Sequence, residues 1–105
     1  MNREMSIILT SVDSDERAKN MAKSLIESGL AACVQISAPG ISIYRWDASV
    51  QEEQEFYLSI KTTAQGRAAA CAWLDKFHPY ETPEIVCLEA NASSAYMKWL
   101  RDNVQ

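Results

Sequence analysis

One short segment of the chain concentrates residue types that can transfer protons or bind metal ions. His78-Pro79-Tyr80-Glu81-Thr82-Pro83-Glu84-Ile85 holds the only histidine of the sequence, two of its three prolines and two carboxylates. Each proline fixes its own φ and disfavours helix at the residue before it, so His78 and Thr82 are predicted to lie on a stiff connector. An imidazole whose pKa lies near neutrality can ligate a metal or move a proton. The segment is therefore the first candidate for a functional site.

The same segment also fits a purely structural role. It can end a helix at Phe77 and start a strand at Ile85, with His78 hydrogen-bonded at the surface. Taken alone, the segment favours this structural interpretation, because one imidazole without a visible partner specifies neither a metal site nor a proton transfer.

Length and composition restrict the class of protein. A chain of 105 residues predicts one domain that spans residues 1–105. No apolar run approaches the roughly 18–20 residues of a membrane-spanning helix, so we expect no membrane partner. The net charge of −4, without a cluster of Lys or Arg, argues against nucleic acid as a partner. No secretory signal is visible at the amino terminus, and we expect a cytoplasmic protein.

The three cysteines, Cys33, Cys71 and Cys87, are widely spaced in apolar sequence and form no CxxC pair. This pattern predicts free, buried thiols rather than a zinc site or a disulfide framework. Sequence spacing leaves open whether Cys33 and His78 meet in the fold.

Hydrophobic periodicity predicts the elements that must position these residues. Asp13 has the spacing of an N-cap for the first helix, Gly29 ends that helix, and the run Glu52-Glu53-Gln54-Glu55 is interpreted as the solvated start of a strand. The predicted elements are a strand over 6–12, a helix to Gly29, a strand over 30–46 interrupted at Pro39-Gly40, a strand over 54–62, a helix ending at His78, a strand over 85–90 and a short helix after Ser93 or Ser94. This βαββαβ order predicts an α+β, ferredoxin-like antiparallel sheet with two helices on one face, followed by a short C-terminal helix.

The sheet face opposite the helices is predicted to carry Tyr44, Trp46 and Tyr57. A surface so rich in aromatic side chains indicates a protein partner. The long second and third strands would also project a hairpin whose edge needs a cover. We therefore expect a homo-oligomer.

Several motifs, in order, resemble the CutA divalent-cation-tolerance family from about Ser6 to Val104. They are Leu30-Ala31-Ala32-Cys33-Val34, Ser42-Ile43-Tyr44-Arg45-Trp46, Ile60-Lys61-Thr62, His78-Pro79-Tyr80-Glu81-Thr82-Pro83-Glu84 and Tyr96-Met97-Lys98-Trp99-Leu100. The resemblance implies a ferredoxin-like subunit in a homotrimer, related in architecture to the PII signalling proteins and with clefts between subunits. It also implies a role in tolerance of divalent metals, particularly copper.

The resemblance further implies which residues gather near such a cleft. Cys33 and His78 are ligand types that copper prefers, and Glu81 is a possible oxygen donor, so these three form the predicted site for Cu(II) or another divalent ion. Lys61 and Tyr80, with Glu84, would instead suit a small anionic metabolite in the same cleft.

The chain departs from the family pattern at two places. Asp47-Ala48-Ser49 stands where relatives usually carry a glycine and a lysine, and Phe77 stands where some relatives have a second histidine.

Two function classes remain in view: a metal-binding tolerance protein and a PII-like sensor or scaffold for a small anion. An enzyme that uses His78 with Glu81 or Glu84 as an acid and base pair is least favoured, because no nucleophile is evident beside a base. We predict no catalytic residues.

Overall fold

The structure is a computed structural model that describes residues 4–105. The elements, in chain order, are β1 (Met5–Val12), α1 (Asp15–Glu27), β2 (Cys33–Ile36), β3 (Gly40–Trp46), β4 (Ser49–Thr63), α2 (Arg67–Phe77), β5 (Val86–Ala90) and α3 (Ser94–Asp102). This order confirms the predicted ferredoxin-like arrangement with an added C-terminal helix. The long second strand of the prediction is divided into β2 and β3.

The strands form one antiparallel sheet with β4 as its longest member. The hydrogen-bonded order is β2-β4-β1-β5, and β3 pairs with the first half of β4. In register, Ile8 of β1 lies opposite Ile60 of β4, and Ser11 lies opposite Tyr57. Because side chains alternate along a strand, this register fixes which residues share each face of the sheet.

Local sequence signals explain where α1 begins and ends. Ser14 caps α1, since its backbone is extended and its hydroxyl accepts from the Arg17 backbone N–H at 3.1 Å. The predicted N-cap, Asp13, is therefore wrong by one residue. Gly29 adopts a φ of +74° just after the helix, as predicted, because glycine enters this left-handed conformation at little cost.

The hydrophobic core lies between one face of the sheet and the helices α1 and α2. Its fully buried side chains come from both layers: Ile8, Val12, Ala18, Leu25, Leu58, Ile60, Ala70 and Leu74. On the other face of the sheet, α3 buries Met97 and Leu100 against Met5. Part of that second face therefore has its own cover, while Val86 and Leu88 remain exposed on it.

The β3–β4 hairpin extends beyond the helices. The molecule measures 45 × 28 × 24 Å, and its radius of gyration is 14.3 Å, against about 13 Å for a compact chain of this length. Large apolar side chains are exposed along the hairpin: Ile41, Ile43, Tyr44, Trp46 and Val50. Among residues 4–105, no helix has the length and hydrophobicity that a membrane span requires.

The tip of this hairpin holds two residues in a left-handed conformation. Asp47 has a φ of +50° and Ala48 a φ of +63°, between the paired residues Trp46 and Ser49. Aspartate tolerates this region, whereas alanine is strained in it because its Cβ crowds the backbone.

We expect Ala48→Gly to raise the free energy of unfolding by about 0.5–1 kcal/mol, because relief of this strain exceeds the added entropy of the unfolded chain. Chemical denaturation measures the change, and Ala72→Gly within α2 is the matched control. The control should be destabilised, since its alanine is helical. An Ala48→Gly protein no more stable than the parent would contradict the strain.

Candidate functional site

A cleft of about 700 Å³ opens between the end of β1, the β3–β4 hairpin and the connector that follows α2. The residues that line it are Ser11, Asp13, Ser42, Ile43, Tyr44, Trp46, Glu53, Glu55, Tyr80, Glu81, Thr82 and Glu84. Five of these side chains are carboxylates, and none is a lysine, an arginine or a histidine. The lining therefore favours a cationic ligand over an anionic one.

Tyr80 and Glu55 form a partly buried polar contact in the cleft. The Tyr80 hydroxyl donates to Glu55 Oε2 at 2.8 Å, and Glu55 is only 7% exposed. Burial, and then the hydrogen bond to Glu55, raise the pKa of Tyr80 well above its usual range. The tyrosine thus stays protonated and fixes the carboxylate, which leaves Glu55 one oxygen for other contacts.

His78 lies beneath the cleft and is 8% exposed. Its Nε2 is 3.0 Å from the carbonyl oxygen of Ser11, to which it donates, and its Nδ1 accepts from the Tyr80 backbone N–H at 3.1 Å. These two bonds fix the tautomer, with the proton on Nε2. Burial lowers the pKa of His78, although the bond to Ser11 opposes the shift.

The hydrogen bonds of His78 give it a structural role. The β1–β5 register ends where Leu9 meets Val86, and His78 pairs the backbone of Ser11 beyond that point. Because both ring nitrogens are occupied, His78 would have to break one of these bonds to ligate a metal. The predicted role of His78 as a metal ligand would therefore cost the free energy of one of these hydrogen bonds.

The six residues predicted to gather at a cleft fall into two groups within one chain. Tyr80, Glu81 and Glu84 line the cleft, with His78 below them.

Cys33 and Lys61 lie opposite each other in the β2–β4 pairing, and Lys61 Nζ sits 5.8 Å from the centre of the Tyr96 ring. Lys61 is four residues along β4 from Tyr57, which pairs with Ser11 at the cleft. About 13 Å of strand therefore separates Cys33 and Lys61 from the residues of the cleft.

This separation bears on both predicted ligand sets. A site with Cys33, His78 and Glu81, or an anion site with Lys61, Tyr80 and Glu84, would need residues of more than one chain. Within residues 4–105, no three side chains of His, Cys, Asp or Glu converge closely enough to hold a metal ion.

Two features of the structure differ from what the sequence predicts. Glu55 was interpreted as part of a solvated strand entry, but it is buried, because the connector after α2 folds over it and supplies Tyr80. Cys71 and Cys87 were expected to be buried singly, yet Cys87 is exposed and their sulfurs are 3.2 Å apart. Besides Glu81 and Glu84 on the connector, Glu53 and Glu55, alternate residues on one side of β4, carried a signal for the acidic cleft.

Replacing Tyr80 by phenylalanine should destabilise the protein by about 1–2 kcal/mol, because buried Glu55 loses its hydrogen-bond donor. Urea denaturation at neutral pH measures the change. Tyr96→Phe is the matched control, since the Tyr96 ring packs on Trp99 and its hydroxyl makes no hydrogen bond within the described chain. Equal effects of the two substitutions would refute the Tyr80–Glu55 contact.

The family model described as CutA1 divalent ion tolerance protein matches residues 6–103. The chain belongs to the CutA1 divalent ion tolerance family.

Individual CutA proteins match along nearly their whole length. The divalent-cation tolerance protein CutA of Thermus thermophilus is 44% identical over 99 residues, which cover 92% of this chain and 95% of that protein. The structure of CutA from Synechococcus elongatus PCC7942 superimposes with a TM-score of 0.93 at 39% identity, covering 99% of this chain and 93% of the other.

A second Synechococcus CutA structure, complexed with a Bis-Tris molecule, has a TM-score of 0.88 at 38% identity and covers 96% and 94% of the two chains. The fold and sequence thus agree on the CutA family, whose description assigns it to divalent ion tolerance.

Proposed function

We propose that this protein binds divalent cations without catalysing a reaction, and that it contributes to metal tolerance in the cytoplasm as a homotrimer. The ion is held at the carboxylate-lined cleft, where a neighbouring chain completes the ligand set. Membership of the divalent ion tolerance family supports the class of ligand. The single observation that carries the proposal is the set of five carboxylates around the cleft.

The charge of the cleft separates the two predicted ligand classes. A small anion would meet Asp13, Glu53, Glu55, Glu81 and Glu84 without a cation among the lining residues. A divalent cation would be attracted by the same side chains, and carboxylate oxygens are suitable donors for such ions.

The need for a neighbouring chain follows from the ligand count. Residues 4–105 offer no preformed group of three metal-ligating side chains, although stable sites commonly use four or more donors. The cleft lies beside the hairpin whose Tyr44 and Trp46 are exposed, so a chain packed there would reach it. Cys33 can contribute a thiolate to the cleft only from a neighbouring chain.

The hydrogen bonds around the cleft support binding rather than catalysis. The Nδ1 lone pair of His78 already accepts from the Tyr80 backbone, so the ring is not free to act as a general base. Ser11 and Ser42 line the cleft, but the Ser42 hydroxyl pairs with the Tyr57 hydroxyl at 3.1 Å rather than with a base.

A small organic cation is the second candidate ligand. Tyr44, Trp46 and Tyr80 line the cleft together with the carboxylates, and aromatic faces attract ammonium groups. The Synechococcus relative was solved in complex with Bis-Tris, an amine that becomes cationic when protonated. This candidate uses the same acidic cleft and requires no metal.

Isothermal titration with Cu(II), Zn(II) and Mg(II) in a non-chelating buffer tests the proposal. The double substitution Glu81→Gln and Glu84→Gln should weaken binding about 10–100-fold, because two charged donors are lost. Glu16→Gln and Glu27→Gln, both exposed on α1, form the matched control. Cys33→Ala tests the thiol separately.

Three outcomes would contradict parts of the account. Unchanged metal binding in the Glu81 and Glu84 double variant would show that the cleft is not the metal site. Binding of Bis-Tris but of none of the metals would leave the organic cation as the ligand. Binding of a small anion in the presence of a chelator would reverse the proposed charge preference.

A further inference from the structure

A pair of thiols lies on the helix side of the sheet, where α2 crosses β5. The Sγ atoms of Cys71 on α2 and Cys87 on β5 are 3.2 Å apart, although the two residues are 16 positions apart in the chain. Cys87 pairs in register with Ile8 of the core face, whereas its neighbours Val86 and Leu88 point to the opposite face. Cys87 is nevertheless exposed, and it lies on β5, the edge strand of the sheet.

A second contact, between exposed side chains, joins the same two elements. Arg67, one turn before Cys71 on α2, lies 3.9 Å from the carboxylate of Glu89, two residues after Cys87 on β5. Cys71 thus faces Cys87, and Arg67, one helical turn away, faces Glu89. The thiols thus face each other because of how α2 packs on β5.

We propose that Cys71 and Cys87 form a reversible intramolecular disulfide, with a low-molecular-weight disulfide such as oxidised glutathione as the oxidant. The sulfurs need to approach by about a further 1.1 Å to reach the bonding distance of about 2.05 Å. Cys33 takes no part, because it lies on the opposite face of the sheet, across from Lys61.

The reaction proceeds by two thiol–disulfide exchanges. The exposed Cys87 thiolate attacks one sulfur of oxidised glutathione, which forms a mixed disulfide and releases one glutathione thiolate. Cys71 then loses its proton to solvent and attacks the Cys87 sulfur, which forms the protein disulfide and releases the second glutathione thiolate. Two cysteines are oxidised and one glutathione disulfide is reduced.

The exposure of Cys87 and the environment of Cys71 support this order. Burial, and then the hydrogen bond with Cys87, raise the pKa of the Cys71 thiol to about 11, so Cys71 is protonated at neutral pH. Once Cys87 carries glutathione, that hydrogen bond is lost. Of the nearby charges, Arg67 favours the Cys71 thiolate and Asp75 opposes it. Cys71 is therefore suited to the second step rather than to the first.

The bond would close a loop that contains the connector of the candidate site. Residues 72–86 lie between the two cysteines, and they include His78, Tyr80, Glu81 and Glu84. Oxidation would thus restrain one wall of the cleft. This consequence rests on the proposed function, whereas the disulfide itself does not.

The test incubates the full chain in glutathione buffers from fully reduced to fully oxidised, followed by acid quenching, maleimide alkylation and peptide mass mapping. We expect two of the three cysteines to become resistant to alkylation over the same range of oxidising buffers. A linked Cys71–Cys87 peptide should appear with them and disappear after treatment with dithiothreitol. Cys33 should stay alkylated, as an internal control. Cys33→Ser should behave as the parent, and Cys71→Ser should give only a glutathione adduct on Cys87.

Retention of both thiols under the most oxidising buffer would overturn the proposal. So would a glutathione adduct that persists on Cys87 of the parent protein, or a disulfide that includes Cys33 or joins two chains. The mapping of the parent protein needs no variant to fold. It also involves no metal, so its failure is distinguishable from failure of cation binding.

Discussion

Replacing His78 by alanine is expected to lower the free energy of unfolding by about 2–4 kcal/mol, because one buried and one partly buried backbone group lose their partners. The Ser11 carbonyl loses the Nε2 donor, and the Tyr80 backbone N–H loses the Nδ1 acceptor. Chemical denaturation at pH 7.5 measures the loss. His78→Asn is the informative second variant, since its amide retains a donor and an acceptor and should recover part of the stability.

The pH dependence of stability gives an independent check on His78. Burial lowers its pKa from 6.5 in the folded chain, so the neutral ring is favoured in the native state. Its contribution to stability is complete above the unfolded pKa and is lost as pH falls through the lower folded pKa. Between about pH 7.5 and pH 5.5, the parent should therefore lose stability that His78→Ala does not lose.

These results would separate a structural histidine from a metal ligand. A stability unchanged by His78→Ala, together with lost copper binding, would contradict the hydrogen-bonding role. Lost stability with copper binding retained in the folded fraction would support it.

Replacing Ile43 by glutamate should dissociate the proposed homotrimer, with at least about a 100-fold weaker assembly, because burial of an unpaired charge costs several kcal/mol. Ile43 is 67% exposed in the single chain, on a hairpin that also exposes Val50 and Trp46. Sedimentation velocity at micromolar concentration measures the change.

The matched control for this prediction is Ile26→Glu on α1, another exposed isoleucine but one that lies on the helix side of the sheet. It should leave the trimer intact. A monomeric parent protein, or equal dissociation by the two substitutions, would show that the apolar hairpin is not an interface.

Much of the fold could be predicted because local signals and the tertiary structure agree. The period-two and helical patterns predicted the order and type of the elements, and Gly29 ended α1 as expected. The start of β4 was missed, because this strand begins at Ser49 rather than at Gln54. The N-cap was misplaced because Asp13 and Ser14 are both competent caps, and backbone conformation decides between them. The break between β2 and β3 follows from Pro39, which cannot donate to the sheet.

The candidate site was predicted only in part, because the pairing of the strands brings its residues together, and local sequence does not specify that pairing. Two prolines and a cluster of polar residues marked the connector at residues 78–84 as a candidate site. Nothing in the alternation of β4 indicated that Tyr80 would cover Glu55, or that Cys33 would lie along the strand from His78. The contact of Cys71 with Cys87 likewise depends on how α2 packs on β5.

The central claim is that the acidic cleft binds divalent cations in an assembly of chains, and native mass spectrometry of the copper-treated protein tests it most directly. We expect the parent to appear as a trimer that retains copper ions, and the Glu81→Gln and Glu84→Gln double variant to appear as a trimer that has lost them. A parent protein that is monomeric, or a double variant that retains as much copper as the parent, would contradict the account.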